Sequence, residues 1–181
     1  MMPKSLRELY DELRVTLEPA ARAKVTSLDD PFIARMIQLL LSYGVEIRAS
    51  DLHIEPTNVG ARVRYRIDGI LHEMLKVPPE VCEPLVRSFK VKASMATEMV
   101  GRSKPQDGRI DFEANGRKLD LRLSSFPTLF GDVLAIRMLD RSAPLIALER
   151  LGFPPEGLKE FHRLIRGASG LLLVPGPAIS G

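Results

Sequence analysis

The sequence predicts an α+β fold, and three observations carry that prediction. An apolar stripe at helical spacing over residues 31–48 gives way abruptly to stretches in which apolar and charged residues alternate. Two dipeptides between such stretches, Asp68-Gly69 and Asn115-Gly116, are the turn residues of tight hairpins. The resulting order is helix, three strands, helix, three strands, which places an antiparallel sheet under helices that cover one of its faces.

Each element follows from its residues. Leu6, Leu9, Leu13 and Leu17 recur at helical spacing before Pro19, an amphipathic helix whose apolar side needs a partner beyond the main domain. Asp30 is placed as N-cap and Pro31 as first residue of the next helix, and Ile33, Met36, Ile37, Leu40, Leu41 and Ile47 keep one stripe through Gly44 to about Arg48. In DLHIEP, Leu52 and Ile54 alternate with His53 and Glu55; in ARVRYRID, Val63, Tyr65 and Ile67 alternate with Arg62, Arg64 and Arg66. ILHEML returns after Asp68-Gly69 as a third strand, which Pro78-Pro79 stops. A helix with Pro84 in its first turn runs to about Met95, and MVGRSKPQDGR, rich in breakers, reads as a loop. RIDFEA and RKLDLRLS form the second hairpin, FPTLFGD is a loop, and VLAIRMLD is a strand. Pro144, Pro154 and Pro155 mark a linker over about 142–155, followed by a helix in GLKEFHRLIRG and a terminal strand in LLLV. The chain thus divides into a helical lead-in (1–30), the α+β domain (31–142) and a linker with the start of a further α/β unit (143–181).

Composition bounds the function. The 181 residues are 45% hydrophobic and 27% charged, ordinary for a protein that buries a core. Lys and Arg number 26 against 23 Asp and Glu, an interspersed net charge of +3 that argues only weakly for nucleic acid. Cys82 is the sole cysteine, so there is neither an internal disulfide nor a cysteine metal cluster, and without a basic neighbour it reads as buried and inert. The N-terminus lacks the apolar run of a signal peptide, and the apolar runs fall far short of the ~20 residues that span a bilayer, so a cytoplasmic location is expected.

Gly176 and Gly181 have the spacing of the glycines in G-x-x-x-x-G-K-[ST], in which backbone N–H groups converge on phosphates, a lysine reaches the outer ones and a hydroxyl sits on magnesium. His53 and Glu55 are only two candidate metal ligands, with no place beside them for His72 or His162, so no metal site is expected. Arginines are the more informative group: Arg62, Arg64 and Arg66 share a strand face, Arg109 follows PQDG, and Arg117 and Arg122 lie on the next hairpin, with Asp107, Asp111 and Asp120 as candidate partners.

The stretches ASDLHIEP, RVRYRIDGILHE, KPQDGRIDF, GRKLDLRLSSFPTLFGD, LAIRMLDR and GLLLVPGP, in that order, resemble the secretion ATPases of type II secretion and type IV pilus assembly over about residues 31–181. The resemblance implies a PAS-like N-terminal domain, a linker and the first strand of a RecA-like ATPase domain, assembled in the full-length protein as a homo-hexamer. It also implies ATP and Mg2+ as that protein's cofactors. Inner-membrane platform proteins are the implied partners, with peripheral attachment to that membrane, no span through it, and no nucleic acid. It carries transition-state support to Arg109 and Arg122, and phosphate binding to Gly176 and Gly181 as an incomplete loop. Pro175, Ala178 and Ile179 depart from the family's usual TGPTGSG. Because the sequence stops before the loop lysine, the chain alone is expected to bind no cofactor and hydrolyse no ATP, while the full-length protein is implied to be an ATPase. Two other readings stay open: a nucleic-acid module on the Arg62/Arg64/Arg66 face, against which the 6% aromatic content and lack of Trp speak, and a small-molecule sensory domain.

Overall fold

The computed structural model describes residues 6–20, 30–97, 104–114, 116–140 and 147–176, and it separates into two units, 1–142 and 143–181.

In the first unit, α1 (Leu6–Ala20) runs past Pro19. Leu9, Leu13 and Leu17 are buried, so the apolar side does not await an outside partner: α1 packs on α2 (Pro31–Glu46). Arg35 Nε donates to Glu12 Oε1 at 3.0 Å, and the Tyr10 and Tyr43 rings lie 6.0 Å apart. The N-cap is as expected: Asp30 Oδ1 accepts from the Phe32 N–H at 2.8 Å, with Pro31 at the first position. Because α1 covers its outer side, α2 buries far more than the single expected stripe, including Leu39 and Tyr43. It continues through Gly44 but ends at Glu46. A Cβ on Gly44 would stand 2.9 Å from Met138 Sδ and 3.0 Å from Tyr65 Cε1, so the bare backbone is what lets the helix seat against the sheet. That closeness offsets the helix-propensity cost of glycine, about 1 kcal/mol.

Six antiparallel strands follow in two meanders: β1 (Asp51–Thr57), β2 (Gly60–Ile67) and β3 (Ile70–Val77), then β4 (Gln106–Ala114), β5 (Arg117–Thr128) and β6 (Gly131–Asp140). The spatial order is β3-β2-β1-β6-β5-β4, so the meanders join where β1 pairs β6. Asp68 and Gly69, with φ of 48° and 83°, form the first expected hairpin turn, and Gly116 at φ 73° closes the second.

Several expectations shift here. Gln106, Asp107 and Gly108 belong to β4 rather than to a loop, because β5 supplies a ladder as far as Ser125. FPTLFGD is mostly strand: only Leu129-Phe130 turns, and β5 and β6 pair out to Thr128 and Gly131. Pro127 is tolerated because it lies beyond β5's last β4 partner, where the strand is an edge. Helix α3 (Pro79–Lys92) ends before Met95, and Pro84 sits in its second turn, since the helix already starts at Pro79.

Helices α2 and α3 cover one face of the sheet, where Leu52, Ile54, Val63, Tyr65, Leu121, Leu123, Leu134 and Ile136 are buried. The Tyr65 hydroxyl donates to the Leu40 carbonyl at 2.9 Å, which satisfies a polar tip in that core. Lys90, 3% exposed, pairs with Asp132 at 2.5 Å between α3 and the start of β6. The opposite face carries the charged residues of the alternating pattern.

The second unit holds a 3₁₀ turn at Leu148–Arg150 and α4 (Pro155–Ile165), which covers most of the helix expected in GLKEFHRLIRG. Phe153 and Phe161 rings lie 5.3 Å apart, and His162 Nε2 is 3.2 Å from Glu149 Oε1. The expected terminal strand is not formed: Leu171–Val174 is irregular and its four residues range from 43% to 84% exposed. An extended segment without a neighbour to ladder against has no backbone reason to be a strand. Among the described residues no helix is long and apolar enough to cross a membrane.

Candidate functional site

The site lies on the charged face of the sheet, and cross-strand register builds it. Arg109 on β4 stands directly opposite Arg122 on β5, and Arg122 directly opposite Arg137 on β6. Arg137 in turn faces Asp51 on β1, and Asp51 faces Arg66 on β2. Four arginines and one aspartate therefore form a single row across five strands. Directly opposed positions on a sheet have Cβ atoms ~5 Å apart, so the three neighbouring guanidinium groups share one locale.

Carboxylates hold the two outer members of that arginine triplet. Arg109 Nε donates to Asp120 Oδ1 at 2.5 Å, with Asp111 Oδ1 3.9 Å from its Nη2. Arg137 Nε donates to Asp51 Oδ1 at 3.2 Å. Asp51 Oδ2 also takes the Ser50 hydroxyl at 2.8 Å and lies 3.3 Å from Arg66 Nε. Arg122, between them, is exposed and makes no ion pair among the described residues. In the adjacent row, Ser124 Oγ donates to Asp107 Oδ1 at 2.6 Å, and Ala135 leaves room beside them. Together Asp51, Asp107, Gly108, Arg109, Arg122, Ser124, Ala135 and Arg137 line a shallow depression of about 620 Å³.

The two expected arginines, Arg109 and Arg122, are thus brought side by side. Their pairing follows from the tight connection at Gly116, which sets the register of β4 and β5; Asn115, the other expected turn residue, lies outside the described residues. Arg137 and Asp51 were missed. The signal for Arg137 was present in FPTLFGD: taking Leu129-Phe130 as a tight turn puts Arg137 opposite Arg122. Asp51 had no local signal, since its place depends on pairing between β1 and β6.

Arg62, Arg64 and Arg66 do not form a free cationic face. Arg62 Nη2 donates to Glu55 Oε2 at 3.1 Å, Arg64 pairs with Glu55 Oε1, and Arg66 pairs with Asp51 and donates to the Gly69 carbonyl at 2.8 Å. Glu55 and Asp51 thereby compensate much of the charge that the nucleic-acid reading needs. Burial pushes the His53 imidazole below its usual pKa; Asp51 and Glu55 oppose that shift, while Arg66 and Arg64 reinforce it. Burial, with help from Glu83, pushes the Cys82 thiol up to about 11. Among the described residues no group of three or more His, Cys, Asp or Glu is placed to hold a metal. Gly176 is exposed and irregular, and Gly181 lies outside the described residues.

The comparisons agree with one another. A family model described as Type II/IV secretion system protein matches residues 26–181. The chain is 37% identical over 149 residues to Type II secretion system protein E of Xanthomonas campestris pv. campestris, covering 82% of this chain and 26% of that protein. It is 34% identical over 177 residues to Type IV pilus assembly ATPase PilB of Myxococcus xanthus, covering 96% of this chain and 31% of that protein. The chain therefore spans less than a third of the length of these relatives. An X-ray structure of the Legionella pneumophila ATPase DotB is similar with a TM-score of 0.52 at 14% identity, covering 80% of this chain and 39% of that one, a likeness of fold alone. With a family model matched along most of its length, this chain belongs to the Type II/IV secretion system protein family.

Proposed function

We propose that this chain is the N-terminal, non-catalytic portion of a hexameric ATPase that drives protein secretion or pilus assembly from the cytoplasmic side of the inner membrane. Its task is to present Arg109, Arg122 and Arg137 to the phosphates of ATP bound by the rest of the protein. One observation carries the reading: Arg122 lies between two arginines at direct cross-strand distance and has no carboxylate of its own among the described residues. Like charges placed directly opposite each other destabilise a sheet. An arrangement that keeps three together, with the middle one unneutralised, suits an anion arriving from outside. A planar guanidinium fork matches phosphate oxygens bidentately, as it does a carboxylate.

Magnesium and ATP belong to this reading as the nucleotide pair of the longer protein. Gly176 and Gly181 would turn backbone N–H groups toward the phosphates there. The fold supports a positioning task, because all three arginines stand on strands of one rigid sheet rather than on loops. Inner-membrane platform proteins are the partners such a motor would push against, and the relatives' names motivate that assignment.

The test is Arg109→Ala, Arg122→Ala and Arg137→Ala in the full-length protein, with ATPase rate, nucleotide affinity and hexamer assembly measured together. Arginines that stabilise phosphoryl-transfer charge are worth roughly 10³–10⁵ in rate. Turnover per hexamer should fall by at least tenfold for Arg122→Ala, with much smaller changes in nucleotide affinity. Turnover within about threefold of the parent at all three positions overturns the reading.

A further inference from the structure

We propose that Asp51 and Asp120 are a matched pair of positioning residues: each grips the Nε edge of one arginine flanking Arg122, and so aims the terminal nitrogens of Arg137 and Arg109 at a single shared anion. This rests on the phosphate-facing reading of the arginine row.

The geometry of the two grips is the same. Asp120 Oδ1 takes Arg109 Nε at 2.5 Å and Asp51 Oδ1 takes Arg137 Nε at 3.2 Å. A guanidinium held by Nε has its last torsion fixed while its outward terminal nitrogens stay available. The nearest competitor, Asp111 Oδ1, stands 3.9 Å from Arg109 Nη2, beyond hydrogen-bond reach, on a side chain 78% exposed. Burial divides the same way on both sides. The carboxylates are 7% and 13% exposed, whereas Arg109 and Arg137 are 52% and 67% exposed. The negative groups therefore sit low beside the sheet and the cationic ends reach into solvent. An approaching anion meets the arginines first, and the carboxylates do not face it directly.

Asp51 is itself pinned. Ser50 Oγ and Arg66 engage its other oxygen, so Arg137 is referenced to β1 and β2, the opposite side of the β1–β6 seam from Arg122. Asp120 belongs to the same strand as Arg122 and lies two residues before it, which references Arg109 to β5. The two clamps thus approach the central arginine from both sides.

The experiment is a double-mutant cycle in the full-length protein, with kcat, the affinity for a fluorescent ATP analogue and the melting temperature measured for each variant. Asp51→Asn and Asp120→Asn should each lower kcat by roughly 10–100-fold, the scale of losses when a reacting-group contact is misaimed, with affinity changed by less than about threefold. In an Arg137→Ala background Asp51→Asn should cost nothing further, and likewise Asp120→Asn in Arg109→Ala. Arg137→Lys, which keeps charge but has no Nε, should lose as much as Arg137→Ala. That variant decides the matter if an Asn variant fails to fold. A parental kcat in Arg137→Lys, or a full additional loss from Asp51→Asn in the Arg137→Ala background, overturns the positioning role while leaving the arginine site standing. Parental kcat in Arg109→Ala, Arg122→Ala and Arg137→Ala alike overturns the arginine site, and this proposal with it.

Discussion

Arg109 and Arg122 are direct cross-strand partners, so two cations face each other where a sheet is normally stabilised by opposite charge. Arg137 repeats the relationship on the other side of Arg122. The row is electrostatically uncomfortable in the absence of an anion. Replacing Arg122 by Gln should therefore raise the stability of the free protein, by about 0.3–1 kcal/mol at low salt, because each exposed like-charge pair costs a few tenths. Urea unfolding at low and high ionic strength checks this. The gain should shrink with added salt, and a loss of stability exceeding about 1 kcal/mol would mean that Arg122 is held by favourable contacts instead.

Gly108 sets how closely the strand bearing Arg109 approaches α3. A Cβ there would lie 2.5 Å from the Ala93 carbonyl oxygen and 2.9 Å from its Cβ, backbone and stiff side chain that cannot step aside. Gly108→Ala should destabilise the protein by about 1–3 kcal/mol, in the range of overpacked sites. A thermal melt unchanged from the parent is the contrary result.

Cys82 should be a poor nucleophile. With its thiol pushed up to about 11, only on the order of one molecule in a thousand carries a thiolate at pH 8. Alkylation by iodoacetamide at that pH should run roughly two orders of magnitude slower than for a free cysteine, whose pKa is near 8.5. A rate matching free cysteine would place the side chain in a different environment.

His53 makes stability depend on pH with a definite sign. Its folded-state pKa lies below the ordinary 6.5, chiefly through burial, so the unfolded chain binds the proton more readily. The neutral imidazole's contribution is present above 6.5 and is lost as pH falls from there toward the folded-state value. Asp51, Glu55, Arg64 and Arg66 all act on the ring, so His53→Gln isolates its part. Urea midpoints from pH 7.5 to 5 should fall less steeply in His53→Gln than in the parent; identical slopes would remove the histidine from the account.

Local chemistry made most of the fold legible. Asp68-Gly69, Asn115-Gly116 and the Asp30-Pro31 cap each specify their own geometry within a few residues, and the structure has the Asp68-Gly69 turn, the Asp30 cap and a left-handed Gly116 between β4 and β5 where those residues stand. Tertiary pairing decided the rest. Gln106–Gly108 look like a loop until β5 supplies partners, and Leu171–Val174 look like a strand but ladder with no strand among the described residues. The same division holds in the site. Arg109 and Arg122 follow from one hairpin, Arg137 from a tight turn hidden by Pro127 and Gly131, and Asp51 from a pairing no nearby residue announces.

The seam between the two meanders has a consequence for how the chain reaches this structure. Only four residue pairs, from Asp51↔Arg137 to Ile54↔Leu134, join β1 to β6, and the Arg137–Asp51 contact bridges 86 positions of sequence. Every other ladder closes through a short hairpin and can zip locally, whereas the seam must first meet the entropy of closing a long loop. The halves are therefore the early units of folding and the seam is the late one. Amide hydrogens of Leu52 through Ile54 should exchange sooner than those in the middle of β5. The Arg137–Asp51 ion pair closes across the join, so Asp51→Asn should hasten that opening.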